Sequence, residues 1–370
     1  MAKAANVPAA PKEKKARQVP LDFTITQYEL RASYISTGLD SAHYTGLFED
    51  AESYLKINAG ALDWSTHKEF GISDEVFAIA NTSGDPVTLA HYLCHPSLLI
   101  SRPEMLKYYR CISTFSQKGI KAVSGVSSAD RLETGRPIDQ AKAAALASAI
   151  NGNLGPIYRV ALPSLDKLKA IMHATAGISI DGGWKNAVGS EGERVIKSVI
   201  VRHGFLNSEI VSVTIPNSRM SNGRKSGSTA IPAKEITIDW IDNHAGSFQS
   251  VLFKNGSIAV FGSEPDVTLY DSSGQTVAGI EVKAGLDPAG ALERLGAMLK
   301  SFDAITAIAP QAQRILVIAC LTTEVDARLK EVAALSRQYS LTDIIKNTKG
   351  TEVRFANMVR GLLGLAVGTH

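Results

Sequence analysis

Two kinds of apolar spacing divide the chain. From roughly Leu21 to Gly177, apolar residues recur three and four positions apart, the repeat that turns one face of a helix inward. In EMLKYYRCISTFSQKGIKAV, behind Ser101 and Pro103, the stripe runs through Met105, Leu106, Tyr109, Ile112 and Phe115. DQAKAAALASAI predicts an Ala-rich helix behind Pro137 that stops before Asn151-Gly152. SLDKLKAIMHATAG predicts another, with Ser164 as N-cap and Gly177 closing it. The stretch NGNLGPIYRVALPS between them is the expected boundary.

Beyond Gly177 one helix is followed by strand signals. GSEGERVIKSVIVRHGF places Val195, Ile196, Val199 and Ile200 inward and ends at Gly204. EIVSVTIP and EITIDWID alternate as strands do, and SFQSVLFKNGSIAVFG sets two apolar runs around Asn255-Gly256, the signature of a tight hairpin. Strands are expected at PDVTLYD and TVAGIEVKAG, then a helix from Asp287 with Leu292, Leu295, Leu299 and Phe302 on its core face. A buried strand, RILVIAC, follows, and the last forty residues read as helical.

Composition narrows the class without choosing a function. The 370 residues are 45% hydrophobic and 20% charged, which is ordinary for a globular protein, and the length allows two packed units. A net charge of +3 is too mild to demand a polyanionic partner. Cys94, Cys111 and Cys320 are far apart and odd in number, which argues against a disulfide framework and points to a reducing, cytoplasmic setting. No apolar run is long enough to span a membrane, and the charged start has no apolar stretch behind it of the kind a secretory signal needs. Residues 1–20 read as a flexible basic arm.

The chemistry concentrates where Glu281 and Lys283 interrupt an apolar strand. Alternation puts both on one side, with Val282 on the other. A turn at Ser273-Gly274 would bring Asp266 beside Glu281 across a strand pair. Carboxylates gathered in this way repel unless a cation neutralises them, and hard oxygen donors favour Mg²⁺, with Mn²⁺ as a substitute. A lysine beside such a site can orient a water for attack on a phosphodiester. HYLCHP brings His91, Cys94 and His95 together, but without a second ligand cluster the reading is a packed core and not zinc. His203 and His244 have no neighbour in sequence that suggests a triad.

Pro265-Asp266, then fourteen residues, then Glu281-Val282-Lys283 resembles the PD-(D/E)xK nuclease superfamily. The run IEVKAG with Arg294, Gly296 and Lys300-Ser301 after it, and the distant RPEMLKYYR…FSQKG at residues 102–119, resemble XcyI-type type II restriction endonucleases. The resemblance implies an α/β fold with a restriction-endonuclease-like core, a mixed central sheet flanked by helices, and a mainly helical N-terminal region. It implies that Asp266, Glu281 and the main-chain oxygen of Val282 bind the ion, that Lys283 assists the attacking water, and that Glu193 lies near the start of the preceding helix. It further implies double-stranded DNA with a short palindrome, CCCGGG being one instance, a homodimer whose two-fold axis matches the site, and a cognate DNA methyltransferase in the same system.

The expected organisation is a basic arm at 1–20, a helical region at 21–177 for specificity or dimer contacts, a catalytic core at 178–330 and C-terminal helices at 331–370. For DNA contacts the polar loop with Arg219, Arg224 and Lys225 comes first, then Arg102, Lys107, Arg110 and Lys118 in the helical half, with Arg294 behind the catalytic strand. Two rival readings use the same residues: a repair or junction-resolving nuclease, and a non-catalytic sequence-specific DNA-binding regulator.

Overall fold

A computed structural model describes residues 31–40, 43–217, 227–285, 288–320, 323–331 and 335–366. The basic arm and the Arg219, Arg224 and Lys225 loop lie outside the described residues. The chain divides into two compact units, with the division falling between Trp184 and Lys185. No described helix is long and apolar enough to cross a membrane.

The first unit is helical. Its N-termini are closed locally: Ser73 accepts from the Val76 amide at 3.3 Å, Asp139 from the Lys142 amide at 2.9 Å, and Asp85 precedes Pro86 and accepts from the Thr88 amide at 2.9 Å. The helix Gln140–Val160 does not stop before Asn151 as expected, but runs on through Gly152 and Pro156. Leu146, Ile150, Leu154 and Tyr158, four apart and all buried, hold it against the core. Asn151 is not a turn residue: its amide bonds Phe70 O and Cys94 O, each at 2.9 Å, and its oxygen takes the Cys94 amide at 2.8 Å.

Gly177 likewise ends nothing, because one helix spans Leu165–Leu206. Leu168, Met172, Ala176 and Ile180 repeat at the same four-residue interval on its buried side. Burial of that stripe outweighs the roughly 1 kcal/mol disadvantage of an interior glycine.

The second unit is built on an eight-stranded mixed sheet: β1 (Ile210–Pro216), β2 (Ser228–Pro232), β3 (Ser250–Phe253), β4 (Ile258–Phe261), β5 (Val267–Tyr270), β6 (Thr276–Lys283), β7 (Gln313–Ile318) and β8 (Arg337–Ser340). Among the described residues the strand order is β2-β1-β3-β4-β5-β6-β7-β8. Pairing is antiparallel as far as β6 and parallel from β6 to β8. Gly256, at φ +87°, makes the expected β3–β4 turn.

Side chains alternate between two cores. Ile280, Val282, Ile315 and Val317 join one that includes Ile196 and Ile200 of the long helix and Phe355. Leu316 and Ile318 join the other, with Met298, Phe302 and Ile305 of the helix Pro288–Ile308. The mixed sheet flanked by helices, preceded by a helical region, is the expected α/β architecture.

Two expectations fail in this unit. EITIDWID is not a strand: Thr237 caps the Trp240 amide at 3.1 Å and opens a helix, Ile238–His244, that buries Ile241. The C-terminal stretch, helical at Leu341–Ile345 and Thr351–Leu362, also contributes β8, whose RQYS sequence carries no alternation.

Candidate active site between strands five and six

The β5–β6 turn fixes the register on which the site depends. Asp271 Oδ1 accepts the Ser273 amide at 2.9 Å and the Gln275 amide at 3.0 Å, and Gly274 takes φ +81°. Val267 then pairs with Ile280, and the same antiparallel register, continued one step, sets Asp266 opposite Glu281. Gly279 keeps the neighbourhood tight, since a Cβ there would fall 1.8 Å from Ile305 Cδ1 and 3.3 Å from Pro265 Cγ.

Asp266 and Glu281 are 6% and 3% exposed. Asp266 Oδ2 accepts the Val282 amide at 2.7 Å. The Val282 carbonyl, which in a strand points to the same side as its own N–H, therefore faces Asp266. Glu281 Oε1 pairs with Lys283 Nζ, while Glu281 Oε2 is buried with no hydrogen-bond partner among the described residues.

Gly192 lets the long helix approach this end of β6, since a Cβ on it would meet Ala284 Cβ at 2.4 Å. Its neighbour Glu193 is thereby close enough for its charge to be felt at Asp266. Burial, then the charge of Glu281, and further on that of Glu193, push the Asp266 carboxyl up to about 7, against the opposing pull of the Val282 amide and Lys283. The sequence-predicted Asp266, Glu281 and Lys283 are thus brought together, and Glu193 acts on Asp266 through its charge.

This is a site with more acceptors than donors, and the orphaned oxygen of Glu281 is its plainest sign. A hard divalent cation fits the donor set of two carboxylates and a main-chain carbonyl. Among the described residues no group of three or more His, Cys, Asp or Glu side chains is arranged to hold a metal. An open set of that kind suits Mg²⁺, which usually keeps several waters and takes one or two carboxylates plus substrate phosphate oxygens.

The remaining candidates are scattered. Arg110 is withdrawn as a DNA contact: it is fully buried, forked onto Glu133, and donates to Phe115 O at 3.0 Å and to the Tyr44 hydroxyl at 3.1 Å. Arg102 pairs with Asp50 at 2.6 Å and lies over the Tyr54 ring, and Lys107 lies over the Tyr44 ring. Lys118 is exposed on the helix Gln117–Ser124. Arg294 falls within Pro288–Ile308, but its side chain is outside the described residues.

His91, Cys94 and His95 are core residues. His91 Nδ1 meets the Tyr108 hydroxyl at 2.9 Å, and His95 Nδ1 accepts the Ser97 amide at 3.2 Å. His203 meets Glu352 at 3.0 Å, and His244 Nδ1 meets Trp240 O at 2.8 Å. Sequence reasoning set Gly192 ahead of a helix and gave it no part in the site, whereas it lies within the helix Leu165–Leu206.

Residues 90–366, about three quarters of the chain, match the family model described as XcyI restriction endonuclease. None of the curated proteins compared with the chain matches it.

Proposed function

The chain belongs to the XcyI restriction endonuclease family, and from that premise we propose that it hydrolyses both strands of duplex DNA at a short palindrome, such as CCCGGG, using water and Mg²⁺. Asp266, Glu281 and the Val282 carbonyl would hold the ion, and Mn²⁺ would substitute. When bound, it supplies the positive charge that the carboxylates lack and stabilises charge developing on the phosphodiester oxygens.

The protein's own groups do the rest. Lys283, anchored through Glu281 Oε1, holds the attacking water against phosphorus. The water oxygen bonds to phosphorus as one P–O ester bond breaks, leaving a phosphate monoester and a hydroxyl end. Glu193 adds negative charge that strengthens the site's demand for a cation. A palindrome is two-fold symmetric, so two subunits related by the same axis would each cut one strand. The cognate methyltransferase would protect the same sequence without needing to touch this chain.

The observation that carries the reading is the pairing of an unpartnered, buried Glu281 Oε2 with a neighbouring Asp266 whose carboxyl is pushed up to about 7. Digestion of mapped duplex DNA in Mg²⁺, followed by sequencing of the ends, tests it. Discrete ends at one palindrome are expected. A smear or structure-dependent nicking would instead make the chain a repair or junction-resolving nuclease, and tight sequence-specific binding without cutting would make it a regulator.

A further inference from the structure

Gly192 is the point at which the long helix rests on the catalytic end of β6. A Cβ on it would stand 2.4 Å from Ala284 Cβ, 3.2 Å from Leu341 Cδ2 and 3.4 Å from Val282 Cγ1. Gly177, Gly182 and Gly189 of the same helix have open space where their Cβ atoms would be. An interior helix position otherwise favours alanine over glycine, so at 192 the contact itself excludes a side chain.

What lies under this contact is the main chain of the site. Val282 donates its amide to Asp266 Oδ2 at 2.7 Å, and its carbonyl is the main-chain oxygen assigned above to the ion. Val282, Ala284 and Leu341 are all buried, and a close-packed interior has no free volume in which to absorb an added methyl group. A displacement at Gly192 therefore passes to the backbone of β6. Glu193, whose charge is felt at Asp266, is carried by the same turn of the helix.

We propose that Gly192 is a positioning residue of the ion site: by admitting the long helix to contact with Ala284, it sets where the Val282 main chain stands relative to Asp266. The inference rests on the reading that Asp266, Glu281 and the Val282 carbonyl hold a divalent cation. It differs from a purely structural role, because a contact that only packs the helix affects unfolding and leaves ion affinity alone. Gly204 supplies the control. It lies on the same helix, where a Cβ would meet Phe253 Cε1 at 2.9 Å and Ile210 Cγ1 at 3.1 Å. Phe253 ends β3 and Ile210 begins β1, at the far end of the sheet from Asp266.

The test titrates Mn²⁺ into the metal-free full chain by calorimetry, with urea unfolding measured alongside. Wild type is compared with Gly192→Ala, Gly204→Ala and the double variant Gly192→Ala/Ala284→Gly. Both single variants should unfold at lower urea, but Gly192→Ala alone should also bind Mn²⁺ about tenfold more weakly. The double variant should recover wild-type affinity, because with the Ala284 methyl gone the new Cβ meets only the side-chain ends of Leu341 and Val282, at 3.2 and 3.4 Å. If Gly192→Ala does not fold, Ala284→Val presses on the same contact from the strand and takes its place. Unchanged affinity in Gly192→Ala, equal weakening in Gly204→Ala, or no recovery in the double variant overturns the proposal. If wild type itself binds no Mn²⁺, the ion-site reading fails and the proposal falls with it; if wild type binds and Gly192→Ala binds equally well, only the proposal falls.

Discussion

Glu133 and Glu281 are both buried and each is paired with one basic side chain, yet their surroundings differ. In the helical unit, both Glu133 oxygens are taken: Arg110 Nε donates to one, while Arg110 Nη2 at 3.1 Å and Gln117 Nε2 at 3.3 Å donate to the other. The guanidinium is filled as well, by Phe115 O and Tyr44. In the sheet unit, Glu281 has one oxygen on Lys283 and one with no partner among the described residues, beside an Asp266 whose carboxyl is pushed up to about 7. A saturated network of charges holds a fold together. An unsaturated one stores a demand that a ligand can meet.

The same exchange made in both regions separates these roles most sharply. Glu281→Gln should lower the rate of DNA cleavage by about a thousandfold or more, read with saturating Mg²⁺, because an ion ligand and the anchor of Lys283 are lost together. Lys283→Ala should abolish cleavage while duplex binding in Ca²⁺ persists. Near-wild-type cutting by either variant would remove this site from the chemistry.

Stability should move the opposite way. Glu133→Gln leaves Arg110 buried and uncompensated and should cost about 3–5 kcal/mol in urea unfolding. Glu281→Gln relieves repulsion with Asp266 and should leave metal-free stability unchanged or raised. If the two variants were equally destabilised, the contrast between the regions would be wrong.

Acidity gives a smaller effect with a definite sign. The folded, metal-free protein keeps a proton on Asp266 up to about 7, whereas an unfolded aspartate loses it near 4. The folded state thus holds the extra proton between these values. The contribution is fully present below about 4 and is lost as pH rises through about 7. Thermal melts without metal should therefore weaken across this window, and Mg²⁺ should stabilise more at pH 8 than at pH 5. Asp266→Asn should flatten both trends. The smallest effect is expected at the half-exposed Arg102–Asp50 pair, where Arg102→Ala should cost under about 1 kcal/mol in the same melts.

The site was more legible than the frame around it. Asp266, Glu281 and Lys283 break a strand pattern at positions that a two-residue period and a short turn bring together, so local rules suffice. The Asn255-Gly256 hairpin and the buried strand Gln313–Ile318 were readable for the same reason.

What was hidden depended on distant partners. Asn151 looks like a turn until Phe70 and Cys94 claim its amide. Gly177 looks like a cap until the stripe through Ala176 and Ile180 is buried. EITIDWID alternates convincingly, but Thr237 as a cap puts Ile238 and Ile241 on a helical stripe instead. The polar β8 gains strand structure only from β7 beside it.

The central claim is that the unsatisfied carboxylates between β5 and β6 hold a divalent cation. Calorimetric titration of Mn²⁺ into the metal-free protein at pH 8, with wild type and Glu281→Gln side by side, tests it most directly. The account predicts saturable binding to wild type that weakens about tenfold or more in the variant. Equal binding by both, or none by wild type, would contradict it.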